Sequence, residues 1–95
     1  MKRTLVVAPE AEAEINQAKE WYLGQSWLAA RRFREAVDLA LETIEQNPEQ
    51  YQVVYRQTRR VLVDEFPYAL FYVVTERQVT VVSCFHTSRD PSLWR

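Results

Sequence analysis

Residues 69–85, ALFYVVTERQVTVVSCF, contain two runs of β-branched and aromatic residues on either side of a short polar turn. The first run, 69–75, is apolar without interruption through Val74, which predicts a central strand with little water on either face. The second run, 79–85, follows the polar residues 76–78 so closely that the two runs are expected to pair as an antiparallel hairpin. Shorter runs of the same kind precede them at 53–55 and 60–64. The second half of the chain therefore predicts a three- to four-stranded antiparallel β-sheet.

The first half of the chain predicts a short strand and two helices. Residues 3–7 read as a strand, and Pro9 ends it and favours a helix start. Helical spacing of apolar residues predicts a first helix at about residues 9–23. After Gly24, Ser26 is a suitable N-cap for a second helix, which should end at the Asn-Pro pair 47–48. The apolar stripes are Ala11, Ile15, Ala18 and Tyr22 on the first helix and Phe33, Val37, Ala40, Leu41 and Ile44 on the second.

These elements predict an α+β fold: an N-terminal strand, an α-helical hairpin and then the antiparallel sheet. Two helices joined by a few residues lie roughly antiparallel, and the apolar face that they share must be covered by the sheet. With 95 residues, of which 47% are hydrophobic, the chain has enough apolar material for one core. We expect a single domain over residues 1–95.

Composition excludes several classes of function. Cys84 is the only cysteine, so an internal disulfide and a cysteine zinc site are excluded, and neither a metal nor a cofactor is expected. The formal net charge is -1, so binding of nucleic acid would require a local basic patch. No apolar run is long enough to span a bilayer or to serve as a secretory signal. We therefore expect a cytoplasmic protein without a membrane partner.

The C-terminal third carries a resemblance to a known family. The segment 65–74, EFPYALFYVV, and the tail 86–95, HTSRDPSLWR, resemble RelE/ParE toxins, especially the ParE-like branch, as do the helix starts at 9–11 and 29–33. The resemblance covers essentially the whole chain and implies the RelE/ParE-like fold. It also implies a toxin of a bacterial type II toxin-antitoxin module, which arrests growth and is neutralised by a cognate antitoxin in a hetero-oligomer.

The family divides by target, and two positions favour one branch. Members similar to RelE cleave mRNA on the ribosome, and their central strand carries an arginine where this chain has Ala69. Their tail tyrosine corresponds here to Trp94, whose indole cannot act as an acid or base. The resemblance therefore favours the ParE-like activity, inhibition of DNA gyrase without hydrolysis. The alternatives are a ribosome-dependent mRNA endoribonuclease and a non-toxic module that only binds an antitoxin.

The candidate site residues are mostly basic or aromatic. If the chain cleaved RNA, His86 would be the general acid or base, because imidazole groups titrate near neutral pH, and Arg59 or Arg60 would stabilise the phosphorane. A lone histidine at the end of an apolar strand is more often structural, and we favour that interpretation of His86. Tyr68 is expected in an exposed turn. The candidates for binding the target or the antitoxin are Arg56, Arg60, Tyr68, His86, Arg89, Trp94 and Arg95.

Overall fold

The computed structural model describes residues 3–89 and confirms the predicted α+β class. Each predicted element is found within about two residues of its expected position. In chain order the elements are β1 (Thr4–Val7), α1 (Pro9–Leu23), α2 (Trp27–Gln46), β2 (Val53–Tyr55), β3 (Thr58–Leu62), β4 (Tyr68–Val74) and β5 (Gln78–His86), with 3-10 turns at Pro48–Gln50 and Thr87–Arg89.

Local sequence signals set the helix boundaries. Pro9 occupies the first turn of α1, where its missing N–H costs no hydrogen bond. The side chain of Ser26 caps α2 by accepting a hydrogen bond from the Ala29 N–H at 2.9 Å. At the far end, α2 stops at Asn47, just before Pro48.

The sheet has five strands in the order β1-β5-β4-β3-β2. The strands β2 to β5 form the predicted antiparallel meander, and β1 adds a fifth strand that pairs with β5 in parallel, with Val6 opposite Thr80. The observed sheet therefore contains the predicted antiparallel strands and one additional parallel strand, which makes it a mixed sheet. The helical hairpin carries the chain from β1 at one edge of the sheet to β2 at the other edge, and the meander then brings β5 alongside β1 in the same direction.

Both helices cover one face of the sheet, and the hydrophobic core lies between the helices and that face. Ile15 of α1 and Phe33 and Val37 of α2 are buried there, against Leu70 and Tyr72 of β4. Alternation along β4 sends Ala69, Phe71 and Val73 to the opposite face. Ala69 and Phe71 are each only 1% exposed, which confirms that this strand is sheltered on both faces.

A bulge in β5 changes which side chains face the helices. Tyr72 pairs with Val81 and Phe71 with Ser83, so Val82 is an extra residue without a partner of its own on β4. Before the bulge, odd-numbered residues such as Val81 face the helices. After it the parity is reversed, and Cys84 belongs to the core between sheet and helices.

Neither helix in the described part of the chain has the length and hydrophobicity of a membrane-spanning segment.

Candidate functional site

The sheet separates the residues that would have to cooperate in RNA cleavage. Arg60 pairs with Phe71, so its side chain leaves the sheet on the face away from the helices. His86 pairs with Tyr68, whose ring packs against Phe33 of α2, so the imidazole lies on the helix side. The structure therefore does not bring His86 and Arg60 together.

Arg59, the second predicted cation, holds the backbone of the neighbouring 3-10 turn. Its Nη1 atom donates to the carbonyl oxygen of Tyr51 at 2.6 Å and to that of Glu49 at 3.2 Å. Beside it, the Tyr72 hydroxyl donates to the Pro48 carbonyl at 2.6 Å. Burial raises the pKa of Tyr72 to about 12, although the nearby Arg59 guanidinium acts in the opposite direction. These two side chains thus fix the connection between α2 and β2.

The remaining basic candidates are Arg56, Arg89 and Arg95, and the structure describes the side chain of Arg56. Arg56 lies in the β2–β3 turn at a positive φ of 52°, with its guanidinium carbon 5.3 Å from the centre of the Tyr55 ring. Arg89 ends the last 3-10 turn, but its side chain lies outside the described part of the structure, as do Trp94 and Arg95. The described basic residues are therefore spread over a turn and both faces of the sheet.

Tyr68 was expected in an exposed turn, and this prediction is wrong. Tyr68 begins β4 and is half-buried, with its ring centre 5.4 Å from that of Phe33 and 5.3 Å from that of His86. The preceding turn places Phe66 on the same rings, 5.2 Å from Phe33. The aromatic residues of the Phe-Pro-Tyr turn therefore close the end of the core.

The His86 side chain forms hydrogen bonds with Ser88 at the end of β5. The Ser88 N–H donates to its Nδ1 at 3.2 Å, and the Ser88 hydroxyl lies 3.0 Å from the same atom. With Nδ1 accepting, the proton of the neutral ring lies on Nε2. Through these contacts the ring holds the turn that follows the strand.

A groove of about 440 Å³ lies between α1 and the adjoining ends of β4 and β5. Glu14 forms its acidic part: one carboxylate oxygen accepts the Cys84 N–H at 2.9 Å. Burial, assisted by this carboxylate, raises the pKa of the Cys84 thiol to about 12, so the thiol stays protonated at neutral pH. The side chains that give the groove its chemical character are Glu14, Gln17, Trp21, Tyr22, Tyr68 and His86.

Sequence reasoning identified Tyr68 and His86 but missed the contribution of α1 to this groove. The available signal was the spacing of Glu14, Gln17 and Trp21, which share a helix face beside the buried stripe. Among residues 3–89, no group of three or more His, Cys, Asp or Glu side chains is arranged to hold a metal ion.

Comparison with known families decides which group of proteins the chain resembles. The family model described as "ParE toxin of type II toxin-antitoxin system, parDE" matches residues 5–91. The chain belongs to the ParE toxin family. The resemblance to the ParE-like branch that was inferred from the sequence is thereby confirmed. Among curated proteins, none matches the sequence.

Two solved structures have the same ParE-like fold. One is the chromosomal ParDE toxin-antitoxin system from P. aeruginosa, with a TM-score of 0.79 at 11% identity, covering 90% of this chain and 96% of that one. The other is the YoeB dimer from Staphylococcus aureus, with a TM-score of 0.60 at 13% identity, covering 88% and 95%. At such low identity these likenesses show the fold alone.

Proposed function

We propose that this ParE-family chain arrests bacterial growth by inhibiting DNA gyrase and that a cognate antitoxin neutralises it. The observation that carries the proposal is the separation of His86 and Arg60 onto opposite faces of the sheet. A nuclease needs its acid-base group and its phosphate-binding cation at the same scissile bond. Arg59 offers no replacement, because its guanidinium is engaged by two backbone carbonyls.

Ala69 supports the same choice. It occupies the position on the central strand where RelE-like nucleases carry an arginine, and it is 1% exposed. A methyl group at this position offers a phosphate neither charge nor a hydrogen bond. With the family membership, these features favour a toxin that acts by binding and not by hydrolysis.

The target can be tested by pulse-labelling DNA and protein synthesis within minutes of inducing the chain without its antitoxin. Gyrase inhibition predicts that DNA synthesis falls first, and that the purified chain blocks DNA supercoiling by gyrase. The control variant is Phe33→Asp, which places a carboxylate in a fully buried position and should remove any effect that requires the folded chain.

The same experiment separates the alternatives. An earlier fall of protein synthesis, with mRNA cut on ribosomes, would contradict gyrase inhibition and favour the endoribonuclease. In that case His86→Ala should abolish the cuts. If induction does not change growth at all, the chain is a non-toxic module that binds an antitoxin.

Exposed apolar side chains at the tip of the helical hairpin support an antitoxin partner. Trp27 is 67% exposed and Trp21 60%, and Leu23 and Leu28 beside them are also exposed. Apolar clusters of this kind at the surface mark sites of protein association, and an amphipathic helix can bury them. The open edges of the sheet at β1 and β2 can each accept an added strand.

Antitoxin binding should raise the melting temperature of the chain, because a ligand of the native state shifts folding towards that state. Trp27→Ala should reduce this increase. Leu39→Ala is the matched control, since Leu39 is a similarly exposed apolar side chain on α2 but lies away from the hairpin tip. An unchanged melting temperature with the antitoxin would contradict the proposed antitoxin binding.

A further inference from the structure

The groove between α1 and the ends of β4 and β5 combines one carboxylate with several aromatic rings. Among residues 3–88, whose side chains the structure describes, Glu14 is the only acidic residue that lines it, and no lysine or arginine does so. The ion pairs found between described residues involve Glu49, Glu35 and Asp38, and Glu14 takes part in none of them. The negative charge of the groove is therefore not balanced by a described cation.

The Glu14 carboxylate is held in place by one hydrogen bond, and its second oxygen can still bind a ligand. The Cys84 N–H bonds to Oε1 at 2.9 Å and fixes the orientation of the group. Within the described residues, Oε2 accepts no hydrogen bond. A carboxylate held by one backbone donor loses little further freedom when its second oxygen meets a charged donor, so a ligand cation would gain most of the charge-assisted bond.

The rings around the carboxylate are arranged at steep angles to one another. Trp21 and Tyr22 are nearly perpendicular, with centres 5.1 Å apart, and Tyr68 meets His86 at 73° with centres 5.3 Å apart. Trp21 is 60% exposed, so much of its ring is available to a ligand. Aromatic faces attract cations, and tryptophan attracts them most strongly.

We propose that this groove is a binding site for an arginine side chain of a partner protein. A guanidinium is planar, stacks on aromatic rings and donates to carboxylates along its edge, whereas an ammonium is more strongly hydrated and has no flat face. The aromatic rings of the groove can stack on the flat faces of a guanidinium, and the Glu14 carboxylate can accept hydrogen bonds from its edge. The inference does not depend on gyrase or on antitoxin, because it concerns the side chain that the groove accepts.

The test is a titration of the full chain at pH 8, where imidazoles are ordinarily neutral, followed by NMR. The probes are Nα-acetyl-arginine N-methylamide and the corresponding citrulline compound, which has nearly the same shape but no charge. The reporters are the Cys84 amide, which contacts Glu14, and the Trp21 indole N–H. We expect the arginine probe to shift both signals with millimolar affinity, the citrulline probe to bind at least about fivefold more weakly, and added salt to weaken binding.

Matched variants separate this site from general charge effects. Glu14→Gln keeps an oxygen for the Cys84 N–H but removes the charge, and it should weaken binding about fivefold or more. Glu12→Gln makes the same change of charge on an exposed part of α1 and should leave the affinity unchanged. Trp21→Leu should also weaken binding, whereas Leu39→Ala should not.

Three results would overturn the proposal. Equal affinities for the arginine and citrulline probes would show that the groove is merely apolar. Equal losses in Glu14→Gln and Glu12→Gln would reduce the effect to net charge. Tighter binding of free arginine than of the blocked probe would identify a small-molecule site and not a docking site for a protein side chain.

Discussion

The hydrogen bond between Tyr72 and Pro48 offers a direct test of what holds the connection between α2 and β2 against the sheet. Tyr72 is fully buried on the central strand, and its hydroxyl donates to the Pro48 carbonyl at 2.6 Å. Tyr72→Phe removes the donor but keeps the ring, so no large cavity forms. The main consequence is a buried carbonyl oxygen without its partner.

The cost follows from that unpaired carbonyl. A hydrogen bond contributes about 1 kcal/mol net, and a buried polar group left without a partner costs about 1–3 kcal/mol, so we expect a loss of about 2 kcal/mol. For a domain of this size, 1 kcal/mol corresponds to about 4–8 °C in Tm. The variant should therefore melt about 8–16 °C below the wild type.

Urea denaturation and thermal melting followed by circular dichroism measure this loss. Tyr51→Phe is the matched control, because Tyr51 is half-buried on the same segment and its hydroxyl makes no hydrogen bond among the described residues. The control should lose no more than about 0.5 kcal/mol. If the two variants were equally stable, the bond to Pro48 would not stabilise the connection between α2 and β2, and the reasoning would be wrong.

Three further predictions concern other parts of the fold. Because burial raises the pKa of Cys84 from 9.0 to about 12, the free energy of unfolding should be unaffected by this thiol below pH 9 and fall as pH rises towards 12. Cys84→Ala should flatten that fall in alkaline urea titrations, and the native thiol should not react with a disulfide reagent at pH 8 unless urea is added. Glu65 has a φ of 70°, so Glu65→Gly should raise stability by up to about 1 kcal/mol, whereas Asp64→Gly, at negative φ, should lower it; a loss in both would contradict backbone strain at Glu65. Ser26→Ala removes the cap of α2 and should cost about 1 kcal/mol in urea denaturation, and an unchanged midpoint would show that the cap is dispensable.

Local chemistry explains why most of the fold was predictable from the sequence. Pro9 and Ser26 mark helix starts by rules that depend only on their own backbone and side-chain groups. The stripe that contains Phe33 and Val37 is buried as predicted, because helical periodicity converts spacing directly into one face. The short turn at 75–77 leaves antiparallel pairing as the only connection that β4 and β5 can make.

Contacts between residues far apart in the sequence were harder to predict. The apolar segment 4–7 predicts a strand, but its parallel partner is more than 70 residues away, and nothing in the segment specifies β5 over another strand. Tyr68 was expected in an exposed turn, as part of the segment Phe66-Pro67-Tyr68. Its ring instead packs in the cluster with Phe33 and Phe66, because burial against these rings determines its position more than the local turn sequence does. Glu14 joins the candidate groove only because α1 crosses the end of β5.

The bulge at Val82 has the largest consequence for function. Simple alternation from Val79 would place odd-numbered residues of β5 towards the helices throughout, with His86 on the opposite face, which is the face that carries Arg60. The extra residue reverses this parity, so that Cys84 enters the core and His86 faces the helix side. A one-residue change in register moves every later side chain to the other face. The same insertion thus separates the only histidine from Arg60 and places it at the wall of the acidic aromatic groove, which argues for recognition of a partner over cleavage of RNA.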